Sequence, residues 1–289
     1  MSGSPENTLL PIQFEPIVRA ALEEDLGRAG DITSQATIGA HDTARAVMAT
    51  RQDGVVAGLP LATCAFRTID PDLSVDPECA DGDRLLAGAV LARIEGNARS
   101  VLAAERVALN FLMHLSGIAS LTAAYTRKIA HTGARICCTR KTIPGLRVLE
   151  KYAVRCGGGS NHRYGLDDAV LIKDNHIAVS GGVARAIEAA RTHCGHMVRI
   201  EIEVDTLAQF EEALTAAPDA VLLDNMSPEM LSEAVRRNAG QVVLEASGNI
   251  DLTTVAAVAE TGVDYISTSK ITMAAPPLDI GLDISARQP

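Results

Sequence analysis

Six short apolar runs in the second half of the chain end in residues able to do chemistry: Ile136–Thr139, Ala169–Ile172, Ile200–Val204, Ala220–Leu223, Val242–Leu244 and Tyr265–Thr268. The first leads into Thr139-Arg140-Lys141-Thr142, and the second into Lys173-Asp174-Asn175-His176. The third carries Glu201 and Glu203. The fourth leads into Asp224-Asn225, the fifth into Glu245-Ala246-Ser247-Gly248, and the sixth ends in Ser267-Thr268-Ser269-Lys270. Arg140, Lys141, Arg163 and Lys173 are cations suited to carboxylates or phosphates, with Arg offering a two-pronged fork. Glu203 and Asp224 can hold Mg²⁺ through water or contact sugar hydroxyls. Both signs together suit a polyanion that carries a metal.

Two small-residue segments add donors. Gly157-Gly158-Gly159 leads into Ser160-Asn161-His162-Arg163. It reads equally well as a helix stop or as a loop that lets an anion approach the backbone. Ser247-Gly248 and Ser267–Ser269 follow the last two runs, where barrels bind phosphate through backbone N–H groups. Arg147, Lys151 and Arg155 form a basic stripe at helical spacing, with Arg147 and Arg155 best read as a solvated face. His114 lies in an apolar helix as a packed or hydrogen-bonded residue, and His131, His193 and His196 read as surface groups.

The starts of the six runs are separated by 33, 31, 20, 22 and 23 residues. That rhythm fits repeated βα units, whose chemistry sits where strands end. Six runs are visible, a seventh is expected in the N-terminal part if present, and a complete eight-fold barrel is not evident. Before it, Phe14–Leu26 has helical spacing and Asp31–Ser34 reads as a turn. Residues 43–100 read as strands, including Ala44–Thr50 and Val55–Leu59. Leu102–Leu115 and Ile118–His131 read as two successive helical stretches, and Pro144–Arg155 as another helix. The polar start, up to about Leu9, reads as disordered.

Apolar residues make up 47% of the 289 and aromatics only 3%, so small aliphatic side chains must form the core, as in parallel α/β folds. The net charge of -10 argues against nucleic acid and anionic membrane as partners. Yet Arg135–Lys173 holds eight basic and three acidic residues, against 18 and 33 elsewhere. A basic island in an acidic chain points to a small anionic ligand. The six cysteines form no Cys-x-x-Cys motif and read as reduced thiols. With no signal core and no apolar span of membrane length expected, a cytoplasmic enzyme follows.

The motifs resemble the quinolinate phosphoribosyltransferase family over nearly the whole chain. The likeness is carried by Glu24-Asp25-Leu26-Gly27, Gly30-Asp31-Ile32-Thr33, Ala104-Glu105-Arg106, Leu109-Asn110 and His114-Leu115-Ser116-Gly117. It continues through Thr139-Arg140-Lys141-Thr142, Pro144-Gly145-Leu146-Arg147, Lys151-Tyr152-Ala153-Val154, Asn161-His162-Arg163 and Ile172-Lys173-Asp174-Asn175-His176. Glu203-Val204-Asp205, Leu223-Asp224-Asn225 and Leu278-Asp279-Ile280 complete it. Two places depart from the family's usual pattern: Cys138 stands for Asp, and Thr268-Ser269-Lys270 for a Val-Gly-Ala loop.

The resemblance implies an α/β protein with an N-terminal α/β sandwich-like domain, residues 1–115. A seven-stranded, incomplete α/β barrel would span 116–274, and the tail 275–289 would pack back on the first domain. It implies transfer of a phosphoribosyl group from phosphoribosyl pyrophosphate to quinolinate with decarboxylation, for NAD biosynthesis. Mg²⁺ would accompany the donor, and no organic cofactor would be needed. Residues matching Arg140, His162, Arg163 and Lys173 would face quinolinate, with Thr139 beside them and Lys141 between the substrates. Glu203 and Asp224 would serve the donor and its metal. Ser247, Gly248 and Asn249, with Thr268, Ser269 and Lys270, would hold the 5′-phosphate. Lys141, Lys173, Glu203 and Asp224 would be the catalytic set. A homodimer, alone or within a higher assembly, would share its sites, with Arg106 arriving from the partner. Two other readings stay open from the residues alone: a barrel lyase using Lys173 as a Schiff-base nucleophile, and a non-catalytic anion-binding protein.

Overall fold

The computed structural model describes residues 9–286, so of the segment expected to be disordered, up to about Leu9, residues 1–8 lie outside the described residues and Leu9 itself is buried. The chain opens with helices α1 (Pro11–Leu26) and α2 (Ile32–Thr37), then strands β1 (Thr43–Thr50) and β2 (Gly54–Val55) and helix α3 (Leu59–Ile69). Strands β3 (Ser74–Pro77), β4 (Arg84–Leu85) and β5 (Val90–Asn97) lead to the 31-residue helix α4 (Ala98–Lys128). Strand β6 (Arg135–Cys137), helix α5 (Arg147–Cys156), strand β7 (Val170–Ile172) and helices α6 (Asp174–Ser180) and α7 (Val183–His193) follow. Next come β8 (Ile200–Val204), α8 (Leu207–Ala216), β9 (Ala220–Asp224), α9 (Pro228–Asn238), β10 (Val243–Ser247) and α10 (Val255–Ala259). Strand β11 (Tyr265–Ser267), helix α11 (Lys270–Met273) and strand β12 (Ile280–Ala286) end it. The described chain forms two compact units: 9–123, 148–158 and 275–286 in one, 124–147 and 159–274 in the other. The unit that carries the parallel strands thus omits Val148–Gly158, where a continuous 116–274 was expected.

In the first unit a four-stranded antiparallel sheet runs β12-β1-β5-β3. Alternate residues of β1 (Ala44, Ala46, Met48 and Thr50) are buried, the period-two signature of a sheet with one face in the core. Three local readings are corrected here. Asp31 does not sit in a plain turn: its carboxylate accepts the N–H groups of Thr33 and Ser34 at 3.1 and 3.0 Å, capping α2. Leu59–Ile69 is a helix within a region read as strands. Its N-terminus is capped from far along the chain by Asp81, which accepts from Gly58 and Leu59 at 2.8 and 3.0 Å. A cap supplied 22 residues away leaves no local signature. Finally, the two helical stretches are one helix, α4.

Helix α4 is long and apolar enough, by length and composition, to cross a bilayer, which corrects the expectation that no such span exists. Its apolar surface is used internally: Val101, Ala104, Ala108, Leu112, Leu115 and Ile118 are wholly buried. Ser116 and Ser120 hydroxyls take the N–H groups of Ala57 and Val55 at 3.0 and 2.8 Å, tying the helix to the strand region. On α5, Arg155 is exposed as expected, while Lys151 and the adjacent Glu150 are fully buried. Gly157 ends this helix against α4: a Cβ there would lie 2.4 Å from the Ala119 carbonyl oxygen. The triple-glycine segment is therefore a helix stop and a packing contact.

The second unit is a parallel six-stranded sheet in the order β6-β11-β10-β9-β8-β7. Ser160 adds a single parallel bridge to Cys137 on the free side of β6. The expected seventh position is thus filled by one bridging residue, and the α/β barrel class holds. Interior strand residues such as Ile202, Leu223, Ala246 and Ile266 are buried, which fixes the strands and leaves their C-terminal ends to present polar groups.

Candidate active site

Every polar strand end in the second unit opens on one cleft with two lobes. The first, about 390 Å³, is lined by Thr139, Arg140, Lys141, His162, Arg163, Lys173, Glu203, Asp224 and Glu245, among others. The second, about 260 Å³, is lined by Asn225, Ser247, Gly248, Asn249 and the Thr268-Ser269-Lys270 loop. Thr139, Lys141, Asp224, Ser247 and Ser267 line both lobes, so they form the seam between them. All the residues expected at the site are brought together here except Arg106. It is exposed on α4 in the first unit and lines neither lobe.

The first lobe is cationic on one wall. Arg140 and Arg163 each keep a buried Nε without a hydrogen-bond partner, an unusual state for so polar a group. Arg163 is partly held by the Ala169 carbonyl, which accepts from Nη1 at 2.9 Å. Burial, then repulsion from Arg140, lowers the Arg163 pKa, against the opposing pull of Asp168 and Glu201. Arg147, on the helix expected to be a solvated face, donates to Thr142 Oγ1 at 3.1 Å and to the Tyr164 carbonyl at 2.9 Å. It therefore shapes the loop that carries Arg140 and Lys141.

The opposite wall is acidic. Lys173 Nζ donates to Glu203 Oε2 at 2.7 Å, and Asn225 Nδ2 donates to Asp224 Oδ2 at 2.7 Å. The Asp224 carboxyl is pushed above its ordinary range by burial and by the Glu203 and Asp205 charges, with Lys173 and Lys141 opposing. Acids crowded in this way favour an added cation. Glu203 and Asp224 supply the hard oxygen donors that Mg²⁺ takes, usually with waters completing its shell. The donor set fits.

Beneath the cationic wall His162, expected at quinolinate, meets two acids, Glu201 and Glu245, that carry no specific role from the sequence. His162 Nε2 is 2.8 Å from Glu201 Oε2 and 3.8 Å from Glu245 Oε2. Glu245 is buried, its Oε1 has no hydrogen-bond partner, and the Cys137 thiol donates to its Oε2 at 3.8 Å. Burial and the Glu201 charge raise Glu245 to about 7, against hydrogen bonds from Ser267 and Cys137. The signal was present in the sequence as acids inside apolar strands, Ile200-Glu201-Ile202 and Leu244-Glu245-Ala246. An acid at such a position faces the barrel interior.

The two positions that depart from the family pattern are both accommodated. Cys138 is buried and its thiol donates to Asn161 Oδ1 at 3.3 Å, while Asn161 Nδ2 donates to the Tyr164 hydroxyl at 3.1 Å. In the second lobe, Lys270 Nζ rests 3.4 Å from Asp251 Oδ2. Gly248 has φ +100, and a Cβ there would meet Asn225 Oδ1 at 2.2 Å. Only glycine lets these two loops approach so closely.

Comparison with known proteins agrees with this geometry. Residues 31–116 match the quinolinate phosphoribosyl transferase N-terminal domain and residues 118–283 its C-terminal domain. The chain is 42% identical over 282 residues to a probable nicotinate-nucleotide pyrophosphorylase [carboxylating] from Synechocystis sp., covering 96% of this chain and 95% of the relative. It is 40% identical over 274 residues to the Bacillus subtilis protein of the same description, covering 95% and 94%. A NadC crystal structure from Streptococcus pyogenes superposes with a TM-score of 0.94 at 41% identity, covering 97% of this chain and 99% of that one. With both domains matched and the strand-end cleft in place, this chain belongs to the quinolinate phosphoribosyltransferase family.

Proposed function

We propose that the two lobes hold quinolinate and phosphoribosyl pyrophosphate side by side, and that the chain joins them to give nicotinate mononucleotide, pyrophosphate and CO₂. The observation that carries this reading is the seam. A lobe with unpartnered buried guanidinium nitrogens meets a Ser/Gly/Lys loop lobe at Lys141. Arg140, Arg163 and Lys173 offer the charges for a dicarboxylate, with Thr139 at the same wall. Ser247, Gly248 and Asn249, with Thr268, Ser269 and Lys270, suit a terminal phosphate. Glu203 and Asp224 would hold Mg²⁺ directly or through water or donor oxygens, and the ion would offset charge on the departing pyrophosphate.

The reaction needs no further cofactor. The pyridine nitrogen attacks C1 of the ribose and the C1–oxygen bond to pyrophosphate breaks. Lys141 stands at the seam to stabilise charge as that bond opens. The alkylated nitrogen is now positive. The bond between ring C2 and its carboxylate breaks, CO₂ leaves, and the electron pair left on C2 is stabilised by the neighbouring nitrogen until C2 takes a proton. The protein places the reactants and supplies complementary charge. Lys173 is half-exposed and ion-paired with Glu203, a poor setting for a Schiff-base amine.

The same proposal makes the enzyme a homodimer, within a larger assembly or alone, in which exposed Arg106 reaches the partner's cleft. A cytoplasmic setting accords with six cysteines outside any disulfide. The test is an assay with quinolinate, phosphoribosyl pyrophosphate and Mg²⁺, following nicotinate mononucleotide and CO₂. Product from nicotinate but none from quinolinate overturns the substrate assignment. Mixing Arg106→Ala and Lys173→Ala subunits tests the shared site: activity returns if one intact cleft re-forms. No recovery despite confirmed subunit exchange overturns it.

A further inference from the structure

The residues lining the first lobe include one whose hydrogen bonds conflict with a cationic role. The backbone N–H of Arg163 donates to His162 Nδ1 at 2.8 Å. An N–H can only donate, so Nδ1 must present a lone pair and carries no proton. On the other side of the ring, Nε2 lies 2.8 Å from Glu201 Oε2, so the ring's single proton is there, donated to a carboxylate. An imidazolium needs protons on both nitrogens and would set Nδ1–H against the Arg163 N–H. We propose that His162 is a neutral positioning residue, fixed as the Nε2–H tautomer, which ties the Arg163 backbone to the Glu201 carboxylate and so aims the Arg163 side chain into the cleft.

The link is enclosed by both acids and cations. The His162 side chain is 13% exposed, Glu201 14% and Glu245 6%, so the link is largely shielded from water. The charged and titratable groups around it come from every adjacent element: Cys137 at the end of β6, Glu201 on β8, Glu245 on β10, Arg163 beside it, and Arg140 and Lys173 on the cleft wall. Glu201 and Glu245 would attract an imidazolium while Arg140 and Arg163 would repel one, so it is the Arg163 N–H on Nδ1 that decides for the neutral ring. The pull of the link on Arg163 is direct, because its acceptor is the N–H of that same residue. Arg163 has one other restraint shown, the 2.9 Å bond to the Ala169 carbonyl.

This deepens the quinolinate-cleft reading and rests on it only for the kinetic arm of the test. Nitrogen-15 NMR of the histidine-labelled, ligand-free enzyme, with His162 assigned through His162→Asn, reads the tautomer without substrate. The expected result near neutral pH is a pyridine-like Nδ1 and a pyrrole-like Nε2. Two pyrrole-like nitrogens overturn the proposal. Kinetics of His162→Phe, Arg163→Ala and the double variant read the route of action. Breaking the link should lower kcat/KM for quinolinate about ten-fold or more in the wild-type background. In the Arg163→Ala background the same change should cost less than about three-fold, because the residue acts through Arg163. Losses that multiply in the double variant overturn the positioning role and assign direct substrate contact. His162→Asn, whose side-chain oxygen can still accept the Arg163 N–H, should recover activity relative to His162→Phe; no recovery also counts against it. Wild-type enzyme inactive on quinolinate would sink the cleft reading, while the tautomer measurement would still stand or fall separately.

Discussion

Two histidine–glutamate pairs sit in the two units of this protein with nearly the same geometry and different consequences. In the first unit His114 Nε2 is 3.0 Å from Glu150 Oε1, and Glu150 has no exposed side-chain surface. In the second, His162 Nε2 is 2.8 Å from Glu201 Oε2, but a second carboxylate, Glu245, lies behind it and two arginines line the wall above. The first pair joins α4 to α5, with Glu150 wholly buried and His114 24% exposed. The second stands under an open cleft. A hydrogen bond of a given length therefore says little about role. What the far side of each residue faces, packed helix or cleft, separates a structural tie from part of an active site.

The comparison can be broken by showing that the two units do not divide stability and activity between them. The largest effect expected is on chemistry. Lys173→Ala removes a cleft cation and its ion pair with Glu203 and should cut kcat by about 10³-fold, or about 4 kcal/mol, with little change in melting temperature. Glu150→Ala should do the reverse. It leaves His114 Nε2 without that acceptor and opens a cavity, so denaturant unfolding should show a loss of about 3 kcal/mol, while kcat/KM of the folded enzyme stays near wild type.

A third test sharpens the contrast through pH. Burial and Glu201 raise Glu245 above the ordinary glutamate value, to about 7. A raised carboxyl stabilises the fold fully below the unfolded-state value and loses that contribution as pH rises through about 7. Wild-type stability should therefore fall by on the order of 2 kcal/mol between about pH 4.5 and 7.5 relative to Glu245→Gln, which has no such proton to lose. Parallel curves for the two proteins would show that Glu245 is not protonated in the fold. The smallest effect expected is at the other end of the molecule. Asp31→Ala removes the cap of α2 and should lower stability by about 1 kcal/mol with no change in kcat/KM.

Much of the site could be read from the sequence because barrels place chemistry where strands end, and six apolar runs each ended in such groups. Thr139 to Lys141, Lys173, Glu203 and Asp224 could be found in this way. Glu201 and Glu245 were visible as residues but had no role, because nothing local says which strand end faces which. The same limit applies to the helices: α3 leaves no local signal because its cap comes from Asp81, and Arg147 turns from the solvent to Thr142 and the Tyr164 carbonyl.

The sequence by itself determined the α/β rhythm, the basic island and the set of cleft residues, since these follow from periodicity, charge and motif, which are properties of neighbours along the chain. Only the tertiary structure decided that Ser160 stands in the seventh position, that Gly157 packs rather than binds, and that His162 meets a backbone N–H on one nitrogen and a carboxylate on the other. Burial, close approach and the direction of a hydrogen bond depend on atoms brought together from different strands. His162 and Glu201, or Gly157 and Ala119, stand too far apart along the chain for a local pattern to pair them.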